Sequence, residues 1–251
     1  MGTGIRDGAA LMRRSWELVR GDRALLWFPV AAAFFLLLTA GFWLFEGAWV
    51  ASLHGPWLLF VPVVVLGVYS LTFVGIFFNV ALAGAADAAL AGRDATFGEG
   101  LSVAWSRLGS IAGWATYSLV VQLALSFVES IKGFRWVGKA AEVAWSFATF
   151  FVIPLIALEG LDAGDARQRS FGLAKENWRT ETGGLGTLRA AMFFPCLLFA
   201  AAFELLKGGQ VHSRAGQALL GLVLVVGVVV GVVATVVRQV FAVSLYRTSA
   251  A

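Results

Sequence analysis

The sequence predicts an all-α membrane protein, a polytopic bundle of six transmembrane helices with three cytoplasmic interfacial helices. Three observations predict it. Of the 251 residues, 59% are hydrophobic and only 14% are charged, whereas a soluble domain carries about 25% charged residues. The mean hydropathy is +0.83. Six apolar stretches reach the roughly 20 residues that a helix needs to cross a bilayer. The composition therefore argues against a soluble monomer and against a disordered chain.

The six predicted spans form one integral membrane domain over residues 1–251. A segment with charged residues separates each span from the next. The predicted bounds are Ala24–Phe45, Trp57–Leu82, Leu108–Val128, Trp136–Leu158, Leu185–Leu206 and Gln217–Val237.

The basic residues predict the orientation of these spans. Fourteen of the 19 lysines and arginines fall on the side of both termini. Because lysine and arginine accumulate on the cytoplasmic side of membrane proteins, both termini are predicted to be cytoplasmic. We therefore expect a multi-pass protein of a prokaryotic cytoplasmic (inner) membrane.

Three amphipathic stretches precede the odd-numbered spans, at residues 11–20, 97–107 and 166–178. Each combines an aromatic residue with basic residues, as helices that lie at the membrane interface do. The residues expected to contact anionic lipid headgroups are Arg13, Arg14, Trp16, Trp105, Arg107, Arg169, Lys175 and Trp178. With the hairpin that follows it, each stretch forms one unit of a threefold repeat over residues 8–90, 97–160 and 165–246. Alternatively, links beside spans are basic and amphipathic without being repeats.

Polar residues inside spans are costly, so each is a candidate for function. The candidates are Glu129, Glu142 and Glu204 near the predicted outer side, and Asn79, Asp87 and Arg238 near the inner side. In one interpretation the glutamates line an outward-open vestibule for a cation or a lipid headgroup. In the other they pair locally, Glu142 with Lys139 and Glu204 with Lys207, and reach toward the interface.

Two further predictions concern contacts between spans. Arg189 and Arg238 are the expected partners of Asp87 and Glu159 near the inner side. Gly227 and Gly231 form a small-xxx-small pattern, which allows close approach of two helix backbones.

Three short motifs carry a resemblance to a known family. They are Trp27-Phe28-Pro29, Phe77-Phe78-Asn79, and Phe150-Phe151-Val152-Ile153-Pro154 leading through Glu159-Gly160 into Arg169-Ser170-Phe171. Together they resemble an uncharacterised family of prokaryotic six-span membrane proteins, similar to the membrane domain of some glycerophosphodiester phosphodiesterases. The resemblance implies a helical membrane fold and supplies no catalytic residue. The soluble phosphodiesterase domain of the fused proteins is not expected here.

The sequence contains no motif of a known catalytic site. A P-loop, a His-Glu-x-x-His motif, a nucleophile elbow and a dinucleotide fingerprint are all missing. Cys196 is the single cysteine, and His54 and His212 lie far apart, so we expect no metal site and no cofactor. The basic residues are spread around one rim, which argues against nucleic-acid binding. We therefore expect a protein that is not an enzyme and has no catalytic residues.

The composition and topology leave two functional hypotheses. The first is transport, or channel-like handling, of a small solute, an ion or a lipid. The second is a membrane scaffold or a partner subunit of a larger complex that recruits protein or anionic lipid through its cytoplasmic basic collar. The expected partners are the lipid bilayer and anionic lipid headgroups, in a homo-oligomer or a hetero-complex. A polar cavity lined by Glu142 or Asp87 would favour transport.

Overall fold

The structure is a computed structural model that describes residues 3–54, 56–94, 96–131, 135–177, 180, 182 and 214–250. Within these residues the chain is helical and forms no strand, which confirms the all-α prediction. The helices are α1 (Thr3–Gly21), α2 (Trp27–Ser52), α3 (Phe60–Leu90), α4 (Phe97–Ser106), α5 (Leu108–Ser130), α6 (Arg135–Ala148), α7 (Val152–Pro154, continued by a π-helical turn over Leu155–Glu159), α8 (163–177) and α9 (Arg214–Ala250). Short 3-10 turns at Arg23–Leu26 and Trp57–Leu59 lead into α2 and α3.

The described residues include five segments that are long and apolar enough to cross a membrane. They are Ala24–Ser52, Trp57–Leu90, Leu108–Ser130, Trp136–Glu159 and Val229–Ser249. The first four contain the first four predicted spans. The predicted span Leu185–Leu206 lies outside the described residues.

Helix α9 continues beyond Val237, the predicted end of the last span. Helix α9 has 37 residues and continues to Ala250, a length of about 55 Å at 1.5 Å per residue. Arg238 is exposed, whereas Val240, Phe241 and Val243 beyond it are buried in the core. One exposed arginine on the outer face therefore does not end a helix whose other face is still packed.

The contacts bring one end of several spans together, here called the polar end. Asp87 near the end of α3 meets Arg247 in the last turn of α9, and Tyr246 meets Glu159 after α7. Arg107, at the start of α5, lies against Gly160. The ends of the second, fourth and last spans thus lie beside the start of the third span, as expected when consecutive spans form hairpins.

The three predicted amphipathic stretches are the helices α1, α4 and α8. In α1 the buried residues Met12, Ser15 and Val19 recur every three or four positions, so they share one face of the helix. Arg13 and Trp16 lie on the exposed side. Helix α1 packs against α9 and α4 packs against α3. The threefold repeat and the position of these helices at a membrane surface stay predictions.

Small residues allow α4 to lie directly on α3. A Cβ added to Gly100 would lie 2.5 Å from the carbonyl oxygen of Ala81 and 2.5 Å from the ring of Phe28. A Cβ added to Gly84 would lie 2.9 Å from the side chain of Val103. Neither position can hold a larger residue without separating the helices.

Candidate functional site

The fourth span is interrupted near its middle, between α6 and α7. Residues 149–151 form a turn, and Pro154 follows one helical turn after Phe150. Proline has no N–H to donate to the carbonyl group four residues before it, and its ring clashes with that group. The helix therefore stops at Ala148 and resumes at Val152.

The hydroxyl group of Ser170 on α8 takes over backbone hydrogen bonds that the interruption leaves open. Its Oγ donates to the carbonyl oxygen of Ala148 at 2.7 Å and accepts from the N–H of Phe151 at 3.2 Å. Ser170 is fully buried, so water is a poor substitute for either contact. Pro154 and Ser170 belong to the same sequence motif, but the motif by itself predicts no contact of the Ser170 hydroxyl group.

An apolar groove of about 700 Å³ lies beside this interruption. Its walls include Val121 and Leu125 of α5, Ala144 and Ala148 of α6, and Arg167 and Phe171 of α8. Thr149, in the interruption itself, also borders the groove. The volume falls within the range of about 300–1,000 Å³ that is typical of sites for small molecules.

Arg167 is the cationic group of this groove. Its Nη1 donates to the hydroxyl oxygen of Tyr117 at 3.0 Å, and its Cζ lies 5.1 Å from the centre of the Tyr117 ring. Tyr117 in turn packs against the rings of Trp114 and Trp145, at centroid distances of 5.7 and 5.6 Å. The aromatic side chains hold the guanidinium group in place by hydrogen bonding and by cation–π attraction.

The charge of Arg167 is not neutralised by a carboxylate of the described residues. Its neighbour Arg169, by contrast, pairs with Glu159 at 3.2 Å. A guanidinium group has five N–H donors, and the contact with Tyr117 accounts for one. The remaining donors and the positive charge can therefore receive an anion at the border of an apolar groove.

The polar end holds a network of ion pairs. Arg247 donates from Nε to Asp87 Oδ1 at 2.7 Å. Arg93 lies 4.0 Å from Asp87 and 3.3 Å from Glu99. Together with the contact between Tyr246 and Glu159, these pairs join the ends of α3, α7 and α9.

Asp87 and Glu159 have partners in the structure that the sequence did not predict. Asp87 pairs with Arg247 and Arg93, and Glu159 pairs with Arg169. Arg189, the first predicted partner, lies outside the described residues. Arg238, the second, lies nine positions before Arg247 on α9. The last turn of α9 extends further along the bundle than predicted, and it therefore brings Arg247 to Asp87.

Asn79 and Asp87 lie in different surroundings. Asn79 donates from Nδ2 to the carbonyl oxygen of Gly75 at 2.8 Å and borders a cavity of about 270 Å³ between α2, α3 and α9. Gly231 borders the same cavity, and a Cβ added to it would meet no atom within 4 Å. No helix of the described residues approaches α9 closely at Gly231, and the close approach predicted there stays a prediction. Gly227 lies about one turn earlier on α9, and its role in packing stays a prediction.

Neither Glu129 nor Glu142 borders the groove or the smaller cavity. Glu142 is exposed on α6, and the ion pairs among the described residues do not include one with Lys139. Glu129 packs against Gly138, where a Cβ would collide with the glutamate side chain. Glu204 and Lys207 lie outside the described residues. Both interpretations of these glutamates stay predictions.

The residues predicted to contact lipid occupy different environments. Arg14, Trp16, Trp105, Arg169 and Lys175 are exposed, and so is Arg13, which lies 3.7 Å from Glu17. Arg107 instead turns inward, because Gly160 adopts a left-handed conformation with a φ of 70° and leaves room for its guanidinium group. The Nε of Arg107 is buried and has no hydrogen-bond partner among the residues described. Trp178 is outside them.

Comparisons with known proteins add one finding. A family model described as a family of unknown function (DUF6159) matches residues 58–251. No curated protein matches the chain, and no solved structure matches it. The uncharacterised family that the motifs predict is thus supported, whereas no similarity to glycerophosphodiester phosphodiesterases is found. Among the residues described, no group of three or more His, Cys, Asp or Glu side chains could hold a metal ion.

Proposed function

Because the chain belongs to a family of unknown function (DUF6159), its own geometry must suggest the activity, and we propose that it binds and handles an anionic membrane lipid. The observation that carries the proposal is the apolar groove between α5, α6 and α8 with Arg167 at its border. The groove borders only helices that belong to membrane spans or run beside them.

The two parts of the groove match the two parts of a phospholipid. Val121, Leu125 and Ala144 present hydrocarbon surface, which suits an acyl chain. Arg167 presents a guanidinium group, whose planar fork of N–H donors matches the oxygens of a phosphate. An inorganic ion alone would leave the long apolar wall unoccupied. We therefore favour a lipid over an ion or a polar solute as the ligand of the groove.

The groove supports binding rather than catalysis. Its lining holds no carboxylate, cysteine or histidine side chain, so it offers no pair of a nucleophile and a base. Transport of the bound lipid between leaflets, or its presentation to a partner protein, would follow from reversible binding at this groove.

Replacing Arg167 by glutamine is expected to weaken binding of phosphatidylglycerol at least tenfold, since a hydrogen bond to a charged group contributes about 1.5–3 kcal/mol. Binding of zwitterionic phosphatidylcholine should change little. Both lipids can be titrated onto the purified detergent-solubilised protein and counted by native mass spectrometry.

Two further variants complete this experiment. Lys139→Gln removes an exposed charge on α6 that borders neither the groove nor the smaller cavity, and it should leave both affinities unchanged. Ala144→Trp fills the groove from an exposed position of α6, and it should weaken both lipids. Unchanged phosphatidylglycerol binding by Arg167→Gln would refute the proposal.

We further propose that both termini face the cytoplasm of a prokaryotic cell, on the basis of the basic residues near them. In a Cys196→Ser background, His54→Cys in the turn after α2 should react with a membrane-impermeant maleimide on intact cells. Thr248→Cys, near the end of α9, should react only after permeabilisation. The reverse pattern of labelling would invert the proposed orientation.

A further inference from the structure

We propose that Ser170 is a positioning residue of the lipid groove, which gives the groove its preference for an anionic lipid by holding α8 against the interruption in the fourth span. This inference rests on the proposed function. It concerns a residue that does not itself border the groove.

The first support is that one hydroxyl group connects two separate elements. Ser170 Oγ donates to the carbonyl oxygen of Ala148 at 2.7 Å and accepts from the N–H of Phe151 at 3.2 Å. Ala148 is the last residue of α6, and Phe151 is the last residue of the turn before α7. The hydrogen bonds therefore fix the position of α8 relative to both halves of the fourth span.

The second support is that the connected elements form the groove. Ala148 and Thr149 border it on the side of the interruption, and Arg167 and Phe171 border it on the side of α8. Arg167 lies three residues before Ser170, almost one helical turn away. A displacement of α8 at Ser170 therefore displaces Arg167 as well.

The third support is the contrast with Ser15, the buried serine of α1. Ser15 is 2% exposed and donates to the carbonyl oxygen of Leu11 at 2.9 Å, within its own helix. Such a bond does not connect two elements. Two buried serines on two amphipathic helices thus have different roles, and Ser15 is a matched control.

Loss of the Ser170 hydroxyl leaves a buried N–H and a buried carbonyl oxygen without this partner. Buried backbone groups without partners are rare because they are costly. We expect α8 and the interruption to move apart until both groups find other partners. Arg167 then no longer lies at the border of the groove, while the apolar walls of α5 and α6 are still present.

The test compares Ser170→Ala with the wild type and with Ser15→Ala. Native mass spectrometry measures binding of phosphatidylglycerol and phosphatidylcholine, and hydrogen–deuterium exchange follows the peptide that contains Phe151. In Ser170→Ala the preference for phosphatidylglycerol should fall about tenfold, the loss of one charge-assisted contact. Phosphatidylcholine binding should persist, and the Phe151 amide should exchange faster. Ser15→Ala should resemble the wild type in all three measurements.

Ser170→Cys keeps nearly the same side-chain volume with a weaker donor and acceptor, and it replaces the alanine variant if that variant does not fold. An unchanged preference in the variant, or an equal loss of binding of both lipids, would mean that Ser170 is merely structural. That result would overturn this inference and leave the proposed function standing. A wild-type protein that binds both lipids equally would overturn the proposed function, and the inference with it.

Discussion

Replacing Gly100 by alanine is expected to destabilise the protein by about 1–3 kcal/mol, the usual cost of forcing extra volume into a packed contact. The new Cβ would lie 2.5 Å from the carbonyl oxygen of Ala81 and 2.5 Å from the ring of Phe28. The carbonyl group belongs to the α3 backbone, so it can move away only if the two helices separate. The loss is measurable as a lower midpoint of thermal unfolding in detergent micelles.

Gly98, two residues earlier in α4, is the matched control. A Cβ added there would meet no atom within 4 Å. Because glycine inside a helix is about 0.5–1 kcal/mol less favourable than alanine, Gly98→Ala should stabilise the protein slightly. Equal effects of the two substitutions would show that α4 does not lie on α3 as the structure has it.

Replacing Asp87 by asparagine is expected to cost about 1–2 kcal/mol, near the lower end of the range for hydrogen bonds to charged groups. The side chains of Asp87 and Arg247 are 22% and 38% exposed, so water compensates part of the loss. The substitution removes the ionic contacts with Arg247 and Arg93. The contact with Arg247 joins the end of α9 to the end of α3. Thermal unfolding should show this loss of stability. Arg247→Gln should destabilise the Asp87→Asn variant little further, because the contact between the two side chains is already lost.

The control for this prediction is the pair of Arg13 and Glu17 on α1. Their side chains are 83% and 66% exposed and 3.7 Å apart, and exposed pairs of this spacing contribute only about 0.3–0.5 kcal/mol. Glu17→Gln should therefore change stability far less than Asp87→Asn. If the two substitutions have equal effects, Asp87 does not hold the polar end together.

Helical class and most of the span positions were predictable because they depend on local properties. A helix satisfies its own backbone groups, so twenty apolar residues in a row predict a span whatever surrounds them. The predicted starts Leu108 and Trp136 are also the starts of the corresponding observed spans. Periodicity likewise predicts the buried face of α1, since Met12 and Val19 recur at helical spacing.

The interruption at residues 149–151 was less accessible to sequence analysis. Pro154 indicates a kink, but a proline in a span does not say which group satisfies the freed backbone. Ser170, 16 residues later, has no local property that distinguishes it from Ser15. Only the packing of α8 against the fourth span decides that one serine bonds across helices and the other within its own.

The residues of the candidate site also depend on packing between helices rather than on local properties. Nothing in the sequence singled out Arg167 among the 19 lysines and arginines, because its proposed role depends on a groove formed by three separate helices. The pairing of Asp87 with Arg247 was not predicted for a related reason: the end of α9 could not be placed relative to α3 from hydropathy.

By itself, then, the sequence determined that this is a helical membrane protein and where most of its spans lie, because hydrophobic length and helical hydrogen bonding are local. The tertiary structure decided which charges are paired, where a span is interrupted and which hydroxyl group bridges the interruption. Those features depend on distances between helices far apart in the chain. Neither composition nor periodicity encodes such distances.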